Sequence, residues 1–129
     1  MTRGPRGWRV AAIAWTAGVI VFGVLPTHDA VHALASGHDD ALTSAAHFAE
    51  YAVLAFLVAV AFGGWPAAPR ALLGAGAYAV GLGALIEVVQ APLPYRDGQV
   101  SDVVVNAAGA ALGVVLVSLA GRLRARRPR

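Results

Sequence analysis

The chain has 129 residues, 58% of them hydrophobic and only 13% charged, too little charge to cover a soluble domain of this size. It has no cysteine, which excludes disulfides, thiolate nucleophiles and Cys-based metal sites. The net charge of +3 is that of ten basic residues, all arginine, against seven acidic ones, and most of the arginines gather toward the chain ends. There they read as topology signals beside anionic lipid and not as a nucleic-acid surface.

Four apolar runs follow one another, over about residues 8–25, 44–62, 71–90 and 100–120. Each approaches the roughly 20 residues that an α-helix needs to cross a hydrocarbon core about 30 Å thick. They are continuously apolar and do not alternate with period two, which predicts helices and not a membrane barrel. Pro26, the Gly63-Gly64-Trp65-Pro66 stretch and the Pro92/Pro94 pair fall between the runs, where helix breakers belong. The expected architecture is therefore all-α: one membrane domain of four transmembrane helices. The basic start, first apolar run and Ala33-Leu34-Ala35 superficially resemble a cleaved signal peptide. The run is longer than a usual signal core, however, so a retained first helix is expected.

Arg3, Arg6 and Arg9 precede the first run, Arg70 separates the second from the third, and Arg122, Arg124, Arg126, Arg127 and Arg129 follow the fourth. With four spans these regions share one side, which the positive-inside rule makes cytoplasmic, so both termini are expected there. Only Arg96 falls on the other side.

That orientation puts the polar side chains at the extracytoplasmic end of helices 2–4. The second helix starts there with His47, Glu50 and Tyr51 on one face, and the third ends there with Glu87 and Gln90. The fourth starts there with Asp102 and Asn106, four residues apart and so on one face. An ionisable group inside a membrane span costs roughly 2.5–3.5 kcal/mol on insertion scales, so such groups are seldom left without a partner or a task. Glu87 lies near a helix C-terminus, where the macrodipole disfavours negative charge, and Arg96 and His47 are its candidate counter-ions. Gly109 and Gly113 continue the Asn106 face with a small-xxx-small spacing that lets another helix approach closely. The first helix, with Thr16 as its interior polar group, reads as scaffold.

The series His47-x3-Tyr51, then Glu87-x2-Gln90-x5-Arg96-x5-Asp102-x3-Asn106-x2-Gly109-x3-Gly113, resembles the VanZ-like family of bacterial membrane proteins. Family members commonly carry an acidic–basic pair shortly before the histidine. Here Leu42-Thr43-Ser44-Ala45-Ala46 stands in its place. The resemblance implies a bacterial cell membrane location, a cell-envelope role and a link to resistance against the lipoglycopeptide teicoplanin.

The expected partner is a membrane lipid or other envelope amphiphile (a lipid-linked precursor or a lipoglycopeptide), bound in a polar pocket at the outer leaflet. Arg96 would clamp its phosphate or carboxylate bidentately, with Gln90 and Asn106 adding hydrogen bonds. Glu87 and Asp102 would hold Arg96, and His47 would adjust the charge. Two other readings remain open. One is an intramembrane enzyme using Glu87 or His47 as general base on a lipid-linked substrate, and the other is a small proton-coupled transporter. No cofactor and no metal are expected. The His28-x3-His32 spacing resembles a metal-binding pair, but it lies in a Pro- and Gly-interrupted loop and reads as solvated.

Overall fold

Four long helices account for almost all of the described residues in the computed structural model, which describes residues 5–25, 39–65, 67–93 and 100–126. They are α1 (Pro5–Val24), α2 (Asp39–Gly63), α3 (Pro69–Gln90) and α4 (Val100–Ala125). All four are long and apolar enough to cross a membrane. Each of them extends beyond its apolar segment at one end or both. α2 begins five residues early, at Asp39. α4 continues five residues further through Arg122 and Arg124, since basic groups suit the C-terminal end. Pro69 opens α3 at a position where its missing N–H costs nothing.

The α2–α3 turn depends on one backbone conformation. Gly64 has φ +69°, and its N–H donates to the Val60 carbonyl at 3.1 Å. This left-handed cap ends the helix, and a side chain would oppose it. At the far end of α3 the Leu93 N–H donates to the Gln90 carbonyl at 2.8 Å, and Pro92 is exposed.

Helices consecutive in the chain run antiparallel, so α2 and α4 are parallel, and α2, α3 and α4 pack as a triangle with its largest interface between α2 and α4. Apolar burial cannot hold this triangle together in lipid, because the tails are as apolar as the side chains; close van der Waals packing must do so. Small residues permit it. Ala55 and Ala59 are fully buried on α2, facing Ala79 and Ala75 of α3 and Ala110 of α4 in the same clusters.

The closest approach is at Gly109 and Gly113. A Cβ on Gly109 would stand 3.0 Å from the Phe48 carbonyl carbon and nearer still to its oxygen. One on Gly113 would stand 3.0 Å from the Phe56 backbone nitrogen and would press on the Ala52 carbonyl. The two helices thus touch backbone to backbone.

α1 lies outside this triangle, against α2 and more lightly against α3. The outward faces of the bundle are strongly apolar, with Ile13, Phe22, Leu73, Leu85, Val88, Val104 and Leu119 all exposed. Such a continuous apolar surface suits hydrocarbon and not water. At the arginine-rich end Phe56 meets Trp8 and Trp65 edge-on, with ring centroids 6.3 and 5.9 Å away. The Arg124 guanidinium lies 4.7 Å over Trp65. An aromatic and basic girdle of this kind marks a membrane interface.

Candidate functional site

At the opposite end of the bundle α2 starts, α3 finishes and α4 starts, so the polar residues of three helices meet there. Tyr51 and Asn106 are both about 2% exposed and converge on Gly83 of α3. A Cβ at Gly83 would stand 3.0 Å from Tyr51 Cε1 and 3.1 Å from Asn106 Nδ2. The absence of a side chain at Gly83 lets a phenol from α2 and an amide from α4 share one space. Glu87 follows Gly83 by one helical turn, is half-buried, and interacts electrostatically with Tyr51. His47 precedes Tyr51 by one turn and is half-buried, as is Asp102, one turn before Asn106.

Two buried atoms here lack a hydrogen-bond partner among the described residues: His47 Nδ1 and Asn106 Oδ1. An unsatisfied buried polar atom costs about 1–3 kcal/mol, and the cost rises where no water can reach it. Among the described residues no cluster of His, Asp or Glu is arranged to hold a metal ion.

Gln90 makes a different contact. Its Nε2 donates to the Gly23 carbonyl of α1, and Ile86, one turn earlier, packs against Gly23. The side chain is 4% exposed, so this bond pins the end of α1 to the end of α3. Glu50 is half-buried. Its backbone carbonyl accepts a hydrogen bond from Trp15 Nε1 at 3.1 Å. Arg96, the proposed clamp, lies outside the described residues, as do His28 and His32 of the preceding loop.

Gly83 is the site residue that charge and spacing leave unmarked. The signal available for it is its place one turn before Glu87, on the same helical face. The acceptor at Gly23 leaves no side-chain signal at all, because it is a backbone carbonyl.

Neither a curated protein nor a solved structure matches the chain. The VanZ/LLP1 family model matches residues 9–121, which takes in all four helices and every residue of the polar end. The chain therefore belongs to the VanZ/LLP1 family and is a multi-pass membrane protein of the envelope-related VanZ-like type.

Proposed function

We propose that the polar end of α2, α3 and α4 binds the headgroup of an envelope amphiphile at the extracytoplasmic leaflet, and that both termini are cytoplasmic. The observation that carries this reading is Asn106: an amide on a membrane helix, almost wholly buried, with its Oδ1 unmatched among the described residues. An apolar residue would pack there at lower cost, so the amide is better explained by a ligand that donates to it. His47 Nδ1 is a second buried atom of this kind at the same end. Glu87 and Asp102 add negative charge, and Arg96 supplies the guanidinium for an anionic group on the ligand. Lipid, lipid-linked cell-wall precursor and lipoglycopeptide all combine such a headgroup with an apolar anchor.

The test is teicoplanin susceptibility of a susceptible Gram-positive host expressing the wild type, Asp102→Asn or Arg96→Lys at matched membrane levels. Protection by the wild type and not by either variant is expected, because a lysine cannot replace a bidentate guanidinium. Equal protection by all three would remove the polar end from the activity.

A further inference from the structure

A concave feature lies outside the polar end. Between α1 and α3, floored by α2, runs a groove of about 580 Å³ lined by residues such as Ile13, Ile20, Val58, Phe62, Ala71 and Gly74. Its polar lining atoms include the Thr16 hydroxyl and the Tyr78 phenol, and the phenol donates to the hydroxyl at 3.4 Å. Ile13, Phe62 and Tyr78 remain exposed although they line it, so the groove opens sideways, toward lipid in a membrane.

We propose that this groove holds one acyl chain of an anionic phospholipid, with the phosphate paired to Arg9 and Arg70. Length is the first argument. From Arg9 to Ile20 the α1 stripe climbs about 16 Å at about 1.5 Å per residue, close to half of a hydrocarbon core about 30 Å thick. The groove thus follows one leaflet from its polar surface inward.

Volume is the second argument. A helix about 10 Å across and about 12 Å long needs on the order of 900 Å³, more than the groove offers, whereas a single chain is much thinner. Small-molecule sites span roughly 300–1,000 Å³.

Charge is the third. Arg6 and Arg9 lie on the α1 stripe that continues through Ile13, Thr16 and Ile20, and Arg70 directly precedes Ala71 on the opposite wall. All three arginines are exposed. The Arg9 guanidinium lies 5.9 Å from the centre of the Phe62 ring, at the mouth. Among the described residues the carboxylates of Glu50, Glu87 and Asp102 lie toward the other end of the helices, so none of these competes for the cations. This site is independent of the polar end and stands or falls without it.

The experiment is native mass spectrometry of the purified full chain, titrated with dioleoyl phosphatidylglycerol or dioleoyl phosphatidylcholine. The wild type should form a one-to-one adduct with the anionic lipid, at least about tenfold tighter than with the zwitterionic one. Gly74→Leu should weaken that adduct about tenfold, because a Cβ at Gly74 meets nothing within 4 Å and the added side chain fills the groove without displacing protein. Gly81→Leu, on the same helix and equally unobstructed, should bind as the wild type does.

The Arg9→Gln/Arg70→Gln variant, which leaves the walls of the groove intact, should bind both lipids equally. It therefore decides the matter even if Gly74→Leu does not fold. Unchanged adducts in Gly74→Leu, or an undiminished anionic preference in the double arginine variant, would overturn the proposal. So would a dimer that disappears in Gly74→Leu, because the occupant would then be a second copy of the chain.

Discussion

A buried amide oxygen with no donor opposes folding, so removing it should help the fold and harm the function. Asn106→Leu keeps roughly the volume of the side chain beside Gly83 and Tyr51 and deletes the unmatched atom. Its unfolding free energy in detergent should hold or rise by up to about 1–2 kcal/mol. The same variant should lose any protection against teicoplanin. A fall in stability of more than about 1 kcal/mol would instead make the amide structural.

Gly109 behaves in the opposite way, because the space it leaves is already filled by the Phe48 backbone. Gly109→Val should destabilise by at least about 1–3 kcal/mol, since backbone cannot rotate aside as a flexible side chain can. Gly74→Val, facing open space, is the control and should change thermal stability little. The small-xxx-small spacing of Gly109 and Gly113 is visible in the sequence. That it meets Phe48 and Ala52 is a tertiary fact, and no local pattern states it.

Among the helices, α1 is the loosely held member. Its hydrogen bonds include Arg9 Nε to the Ala61 carbonyl, Trp15 to the Glu50 carbonyl, Tyr78 to Thr16, and Gln90 to the Gly23 carbonyl. Hydrogen bonds between membrane helices contribute about 0.6 kcal/mol on average and up to about 1.7. Gln90→Leu should therefore cost about 1 kcal/mol in detergent unfolding and widen the α1–α3 distance reported by spin labels at the ends of those helices. The α2–α3–α4 triangle should keep its own distances. If the spacing stays fixed, Ile86 packing on Gly23 holds the helices without the amide.

The existence of each helix is legible in the apolar runs. The ends are less so, because a helix stops where its backbone groups find other partners and not where hydropathy falls. Asp39-Asp40 and Arg122-Leu123-Arg124 are polar or mixed segments that are nonetheless helical. A reading by polarity likewise places Gln90 with Glu87, whereas its amide reaches a carbonyl 67 positions away.

Among the described residues, charge is sorted along the bundle axis: the arginines with Trp8 and Trp65 at one end, carboxylates and the buried Gln90 and Asn106 amides at the other. This polarity predicts orientation. The chain has no cysteine, so single-cysteine labelling needs no background removal. Ala91→Cys, at the exposed end of α3, should react with an impermeant maleimide in intact cells. Arg126→Cys, beyond α4, should react only after lysis. The reverse pattern would put the polar end on the cytoplasmic side. The carboxylates occupy one end only, so no chain of titratable groups runs through the described helices, as a proton path would require.

The backbone contact between α2 and α4 also has a temporal side. Phe48 and Gly109 are 61 positions apart, so at about 5–20 residues per second the second is made roughly 3–12 s after the first. Until then α2 presents Phe48, Tyr51 and Ala52 to whatever surrounds the nascent chain, because the helix that covers them has not been synthesised. A released chain that ended before Gly109 would lack the α4 backbone that packs on Phe48 and Ala52. The site is thus a late event of biosynthesis, and a shortened transcript would yield a membrane-inserted protein that is inactive by construction.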